Sequence, residues 1–241
     1  MGCAIGERSN VANSEFSERV ALFRARGGKL ATAFWLMRHL GRLDVYAFYV
    51  VALNRFAAVQ RTAEACEFIS LSDLSGIAGH DATIIKALDE HSGCGVAETI
   101  RRGGRIYALV RGQDVLSQLK IDLEESAIDT PADVRITVGK GNAFLSFLFT
   151  AEAARRAGWA RVLVDMTCAA LAAEGLRHCV CHVQATNLRS GNTFDRLGWS
   201  VAGWLLASSA GRFLGIVRNR FAQIDGLDIH AHPPAPRLTA H

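Results

Sequence analysis

The sequence lacks the features that mark membrane-spanning, secreted or nucleic-acid-binding chains. No apolar run reaches the roughly 18 to 20 residues that a membrane-spanning helix needs. Nothing at the N-terminus resembles a secretory signal, so we expect the six cysteines to be reduced thiols and not disulfides. No dense block of lysine and arginine alternates with aromatic residues, which argues against nucleic acid as a partner. We therefore expect a cytoplasmic protein, with the inner face of the membrane as the alternative location.

The sequence also has little that could bind a metal ion. Cys179, Cys181 and His182 lie close together in a segment that we predict to be a strand. Alternation along a strand puts the two sulfur atoms on one face and the imidazole on the other, so the three side chains cannot converge on one ion. We expect no metal.

The composition is that of an ordinary globular protein. Of the 241 residues, 50% are hydrophobic and 21% are charged, which is enough apolar material for one large domain with an appendage. The formal net charge of +4 is mild. Such a charge fits a polyanionic small molecule or an anionic membrane surface, and requires neither.

Residues 1–62 are predicted to form an N-terminal extension. We expect residues 1–17 to be disordered, residues 18–42 to contain a basic amphipathic helix, and residues 45–53 to form a strand. The helix could pack on the domain or on a second subunit of a homodimer, which we favour. Alternatively its apolar face and arginines could make a peripheral membrane contact.

Residues 63–222 are predicted to form the main domain, and residues 223–241 a flexible tail. One helix capped by Asp73 is expected to extend to Leu88. The other predicted elements are strands at 66–71, 105–110, 115–123, 134–138, 143–150, 179–186, 200–207 and 212–217, and helices at 96–102, 159–173 and 187–197.

The most informative segment is a strand that runs through an arginine- and glycine-containing turn into a helix. Arg155 and Gly158 lie in the turn, and the helix begins directly after it. The first N–H groups of a helix have no partner inside the helix, and that end carries partial positive charge, so a pyrophosphate can bind there. Gly158 and Ala160 leave room for phosphate oxygens to approach the main chain, and Arg155 and Arg156 add positive charge.

Two motifs together resemble those of the GNAT superfamily of acyl-coenzyme A N-acyltransferases. Arg155-x-x-Gly158-x-Ala160 is similar to the R/Q-x-x-G-x-G/A signature of that family. About thirty residues later, Asn187-x-x-Ser190, Phe194 and Leu197-Gly198-Trp199 resemble its N-x-x-S/A…Y…x-G-F element. The resemblance implies an α/β fold with a mixed, splayed sheet flanked by helices, here with an N-terminal helical extension.

The resemblance also implies a binding site for acetyl-CoA or another acyl-CoA as co-substrate. Strand 143–150 would part from strand 179–186, and main-chain groups at the end of the first strand would bind the pantetheine arm. N–H groups of the turn and the helix start would hold the pyrophosphate, and residues of the later helix would lie near the thioester. The implied cofactor-binding residues are Phe147, Leu148, Phe149, Thr150, Arg155, Arg156, Ala157, Gly158, Trp159, Ala160, Arg161, Asn187, Ser190 and Phe194.

The catalytic groups depart from the family pattern. Many relatives carry a tyrosine at the position of Phe194, where it supplies a proton to the departing thiolate, and phenylalanine has no proton to give. The usual acidic residue on the fourth strand is also missing. His182 is a candidate general base because it titrates in the right range, although a histidine satisfied beneath a helix is the alternative. Ser146 is a second candidate, lining the acceptor cleft.

The sequence thus predicts an acyl-CoA-dependent N-acyltransferase that moves an acetyl or short acyl group to the primary amine of a small molecule. One alternative is a long-chain acyltransferase that works at a membrane surface on a lipid or polysaccharide precursor. Another is a non-catalytic, acyl-CoA-binding regulatory domain.

Overall fold

The computed structural model of the protein describes residues 29, 32–56, 66–128, 134–210, 212–218, 224 and 227–231. The helices are α1 (residues 32–41), α2 (Leu74–Ala78), α3 (Ala82–Asp89), α4 (Val96–Arg101), α5 (Trp159–Ala173) and α6 (Leu188–Arg196), with short 3-10 helices at Leu53–Phe56 and Glu152–Ala154. The strands are β1 (Leu43–Ala52), β2 (Glu67–Leu71), β3 (Arg105–Arg111), β4 (Asp114–Asp122), β5 (Glu125–Ile128), β6 (Val134–Thr137), β7 (Asn142–Thr150), β8 (His178–Gln184), β9 (Ser200–Ser208), β10 (Phe213–Arg218) and β11 (Asp228–Ala231). The expected disordered start and the first part of the basic helix lie outside the described residues.

Eight strands form one mixed sheet, which confirms the predicted fold class. Their order is β10-β9-β1-β8-β7-β4-β3-β2. Only the β7–β8 pair is parallel among the described strands of this sheet, and the other pairs are antiparallel. Strand β1, which we had assigned to the N-terminal extension, lies in the interior of the sheet between β8 and β9. The N-terminal segment therefore supplies a central strand.

One helix prediction was wrong, because two helices replace the single helix expected between residues 74 and 88. Helix α2 is capped by Asp73, whose side chain accepts a hydrogen bond from the Gly76 N–H at 2.8 Å. It ends at Gly79, and Asp81 caps α3 by accepting from the Thr83 N–H at 2.7 Å. A second cap two residues after the glycine starts a new helix.

A small second sheet has the order β11-β6-β5. Strand β6 coincides with the extended piece predicted at 134–138, whereas β5 had no separate signal. Strand β11 lies within the segment predicted to be a flexible tail, where it pairs antiparallel with β6 through Asp228 and Thr137. This backbone pairing orders residues 228–231, whose composition predicted a flexible segment.

The large sheet has two differently covered faces. On the helix face, Tyr49, Cys181 and Leu145 join the cluster that contains the buried residues of α5 and Phe194 of α6. On the opposite face, Phe48 and Phe144 pack with buried residues of β6. Because side chains alternate along each strand, neighbouring residues of β1, β7 and β8 serve different faces. This alternation decides which side chains can meet at the site.

Candidate active site

Strands β7 and β8 part halfway along their length. They pair from Asn142 with His178 up to Leu145 with Cys181, and this is the last pair between these two described strands. Beyond it, β8 continues to pair with β1, and β7 continues to pair with β4 up to Thr150. The V-shaped opening predicted between the two strands is therefore present, and the β8-facing edge of β7 is free of strand partners after Leu145.

A β-bulge in β7 accompanies the parting. The register between β4 and β7 shifts between the pairs Gln118–Phe149 and Lys120–Ser146, so one residue of β4 faces two of β7. The extra residue is Phe147, whose φ of +50° is rare for a residue with a side chain. Bulges bend a strand and increase its twist. The bend turns the end of β7 away from β8.

The turn before α5 has the features that a bound pyrophosphate would require. Arg156 has a φ of +70°, and Gly158, the N-cap of α5, has a φ of +83°. A Cβ placed on Gly158 would meet no atom within 4 Å, so the main chain there faces open space. The residues from Arg155 to Gly158 are exposed. The start of α5 is therefore open to solvent on the side of Gly158.

Arginines surround this turn. The Arg155 Nε donates to the Thr150 carbonyl at 3.3 Å, which ties the turn to the end of β7, and its guanidinium lies 3.8 Å from Glu152. The Arg111 guanidinium lies 5.5 Å from the centre of the Trp159 ring. Positive charge on both sides of the helix start favours a polyanionic ligand.

Helix α6 begins at Asn187 as predicted. The Asn187 side-chain oxygen accepts a hydrogen bond from the Ser190 N–H at 3.2 Å, which is a helix N-cap. The cap uses the oxygen, so the side-chain NH2 group is the end of Asn187 that can donate to a ligand. Phe194 is 3% exposed, and its ring packs against Tyr49 and Trp199 with centroids 5.7 and 4.9 Å apart.

The two catalytic candidates lie on the same face of the sheet at the parting. Ser146 follows Leu145 and His182 follows Cys181, so each comes directly after the last β7–β8 pair. The Ser146 Oγ and the His182 Nδ1 are both buried without a hydrogen-bond partner. Burial lowers the pKa of His182 to about 4, so the imidazole is neutral at pH 7. Two orphaned polar atoms are typical of a site that a ligand or water completes.

An ion pair that the sequence does not predict lies beside Ser146. Lys120 pairs with Ser146 across β4 and β7, and its Nζ lies 3.0 Å from Asp122. Asp122 is 5% exposed and also accepts from the Ser126 hydroxyl at 2.7 Å. This buried carboxylate stands one strand away from the position where family members carry an acidic residue. From the sequence, Asp122, Glu124 and Glu125 could either line the acceptor cleft or be solvated edge residues, and nothing local indicates that Asp122 pairs with Lys120.

A cavity of about 200 Å³ lies between α6, β1 and β8 on the helix face. Tyr49 of β1 lines it together with Asn187, Gly191 and Asp195 of the α6 segment. The place of Tyr49 in this wall could not be predicted, because nothing local in the sequence indicates which strands β1 joins. Phe34 of α1 and Trp204 of β9 complete the apolar part of the wall.

Neither a metal site nor a membrane-crossing helix is found in the described part of the chain. No three His, Cys, Asp or Glu side chains among the described residues are placed to hold an ion. No helix within the same residues is both long and apolar enough to cross a bilayer. The five cysteines described by the structure are free thiols, and burial raises the pKa of Cys181 well above its usual value.

Comparisons with known proteins agree with this geometry. The model of the acetyltransferase (GNAT) family matches residues 74–199. Comparison with curated proteins gives no match.

Solved structures of GNAT proteins resemble the chain at low identity. A GNAT-family protein from Novosphingobium aromaticivorans has 17% identity and a TM-score of 0.45, covering 69% of this chain and 63% of its own. The GNAT acetyltransferase of Colwellia psychrerythraea has 12% identity and a TM-score of 0.45, covering 68% and 55%. A GCN5-related N-acetyltransferase from Sphaerobacter thermophilus has 13% identity and a TM-score of 0.43, covering 81% and 59%. This chain thus spans less than two thirds of the length of each. The family assignment rests on the family model, which matches more than half of the sequence: the chain belongs to the acetyltransferase (GNAT) family.

Proposed function

We propose that the protein is an acyl-CoA-dependent N-acyltransferase that moves an acetyl or short acyl group to the primary amine of a small molecule. The observation that supports this most is the open turn at Gly158 standing beside the parted strands β7 and β8. The turn offers unpaired N–H groups to two phosphates, and the parted strands offer a free main-chain edge to an extended thiol arm. Neither the turn nor the parted strands alone would indicate acyl-CoA as the substrate. Together they match its pyrophosphate and its pantetheine arm.

In this proposal, each site segment has one task. Main-chain groups of Phe147–Thr150 bind the pantetheine arm as an added strand would be bound. N–H groups from Arg156 to Ala160 hold the pyrophosphate, whereas the Arg161 N–H that the resemblance also implied donates to the Gly158 carbonyl at 3.0 Å. The NH2 group of Asn187 donates to the arm near the thioester. Binding in this way positions the acyl carbon at the parting, so that catalysis rests largely on proximity and on main-chain polarisation of the carbonyl.

The amine would approach from the face that carries Ser146 and His182. Both orphaned polar atoms on this face lack partners, so an amine or an ordered water can satisfy them. With its pKa lowered to about 4, His182 is a weak base, and we propose that it passes a proton to water and does not hold one. The buried carboxylate of Asp122, paired with Lys120, lies on the neighbouring strand.

Binding and thiol release test the proposal together. We expect acetyl-CoA to bind to the full chain and a panel of small primary amines to include at least one that triggers release of free thiol. Failure of acetyl-CoA to bind at millimolar concentration would contradict the proposal. Longer acyl-CoA donors measured in the same assay determine whether the acyl group is short.

A non-catalytic acyl-CoA-binding domain is the second candidate, and Phe194 favours it because this position carries no proton donor. Binding of acetyl-CoA with no thiol release for any amine would establish that reading.

With respect to the membrane alternative, the described part of α1 turns its two aromatic side chains toward the protein, although Leu40 of the same helix is 71% exposed. Trp35 is 4% exposed and Phe34 lines the cavity, so these two aromatic side chains face the protein. Flotation of the full chain with anionic vesicles tests the remaining part of the hypothesis. The full chain is needed because removal of residues 1–62 would also remove the central strand β1.

A further inference from the structure

We propose that Tyr49 is the general acid of this enzyme, and that its hydroxyl protonates the departing thiolate in place of the tyrosine that is absent at position 194. The inference rests on the proposed function and names a residue outside both family motifs. Three observations support it: the level of Tyr49 in the sheet, its contact with Phe194, and the cavity that it lines.

Tyr49 stands at the level where the sheet opens. It pairs with Cys181 of β8, and Cys181 pairs with Leu145 of β7. These three residues form the last complete row before β7 and β8 part, and all three belong to the helix-face cluster. The Tyr49 ring is therefore one strand away from the opening, on the side where α5 and α6 lie.

The Tyr49 ring occupies the space beside the position from which the family tyrosine would act. Its centroid lies 5.7 Å from that of Phe194, with the two planes inclined by 30°. The Tyr49 hydroxyl would lie 3.2 Å from a Cβ on Gly191, which is too close for an easy fit. Glycine at position 191 thus lets the phenol reach the backbone of α6. The cavity that Tyr49 lines is also lined by Asn187, which the resemblance places near the thioester.

The phenol keeps its proton until a strong base appears. Burial, reinforced by the negative charge of Asp195, raises the pKa of Tyr49 to about 12. The hydroxyl is therefore fully protonated at neutral pH, and because it is a weak acid, it gives up this proton only as full negative charge develops on the departing sulfur. Position 194 of α6 offers no hydroxyl for this step, because it carries Phe194.

All protons and bonds of the acyl-transfer step are accounted for. The neutral amine attacks the acyl carbon, a C–N bond forms, and the C–S bond breaks with its electron pair remaining on sulfur. The Tyr49 hydroxyl gives its proton to that sulfur, which yields the free thiol. The amine nitrogen loses one proton on becoming an amide, which His182 passes to water, and a proton from water restores the phenol of Tyr49.

The test removes the hydroxyl group from Tyr49 and then introduces one at position 194, on the neighbouring ring. We expect Tyr49→Phe to lower kcat about 100-fold or more while the Kd of acetyl-CoA stays within about twofold, since general acids contribute factors of that size. Adding Phe194→Tyr to this variant should restore at least tenfold, because it moves the hydroxyl to the ring in contact. Tyr107→Phe is the control: Tyr107 is fully buried in the same cluster but lies on β3, two strands beyond the opening.

The outcomes separate the inference from the function on which it rests. Wild-type turnover that Tyr49→Phe retains within threefold overturns the role of Tyr49 alone, and so does a loss that Phe194→Tyr leaves unrepaired. A wild-type chain that binds acetyl-CoA but releases no thiol with any amine refutes the proposed function, and the general acid with it.

Discussion

Replacing Phe48 by alanine tests whether the N-terminal strand is a structural part of the acyltransferase domain. Phe48 is fully buried, and its backbone is paired with His182 of β8 and with Gly203 of β9. Its ring centroid lies 6.5 Å from that of Phe144 and 6.2 Å from that of His182. Truncation would therefore open a cavity in the packing between the two sheets.

The expected cost follows from the lost burial and the cavity. Phenylalanine to alanine substitutions in a core cost about 3 to 5 kcal/mol, against a total stability of about 5 to 15 kcal/mol for a typical domain. With a urea dependence of about 3 kcal/mol per molar, the midpoint of unfolding should fall by roughly 1 to 1.7 M. Equilibrium unfolding followed by intrinsic fluorescence measures this shift.

A surface substitution in the same segment provides the control. Leu40 in α1 is 71% exposed, so Leu40→Ala should change the free energy of unfolding by less than about 0.5 kcal/mol. If Phe48→Ala is as mild as Leu40→Ala, β1 is not packed in the sheet as described. The placement of Tyr49, its neighbour on β1, would then be lost as well.

Two further substitutions probe the charge of the turn and the buried imidazole. Arg156→Gly relieves a φ of +70°, so the free energy of unfolding should not fall, whereas acetyl-CoA affinity should fall about two- to fivefold with less dependence on salt. Arg42→Gly relieves a similar φ of +49° far from the turn, and it should leave acetyl-CoA affinity unchanged; equal affinity in both variants would contradict a role for the Arg156 charge. The pKa of His182 is lowered from 6.5 to about 4, so the unfolded chain binds this proton first as the pH falls. Wild-type stability should drop by up to about 3 kcal/mol between pH 6.5 and 4, and His182→Gln should flatten that drop in urea titrations; an identical slope would show that His182 is not buried in its neutral form.

Local signals allowed much of the fold to be predicted. The bounds of α5 agree with the prediction because a left-handed glycine stands at each end, Gly158 before it and Gly175 after it. The break between α2 and α3 was missed although Gly79 and Asp81 mark it, because the apolar residues on either side follow one helical period. Periodicity outweighed the capping signal in that prediction.

The position of β1 could not be derived from its own residues. Strand pairing joins segments far apart in the sequence, and no local pattern specifies the partner. The segment did carry one usable sign, since Val45 to Tyr49 is apolar on both faces, as in a strand covered on both sides. That sign predicts a buried strand but not its place between β8 and β9.

The residues of the candidate site also fall into two groups, those that local motifs predict and those that depend on strand pairing. The turn at Gly158 and the cap at Asn187 were predicted because each is a short motif whose chemistry lies in consecutive residues. Tyr49 and the Lys120–Asp122 pair were not predicted, because their proximity to the opening depends on the order of strands in the sheet.

A pair of glycine variants tests the central claim, that the turn before α5 binds the phosphates of an acyl-CoA. Gly158 and Gly175 have φ values of +83° and +85°, and a Cβ on either would meet no atom within 4 Å. Alanine should therefore cost similar stability at both, about 1 to 2 kcal/mol. Only Gly158→Ala places a methyl group where phosphate would lie. Titration calorimetry with acetyl-CoA should show affinity reduced at least about tenfold for Gly158→Ala and unchanged for Gly175→Ala. Equal affinities in the two folded variants would contradict the account.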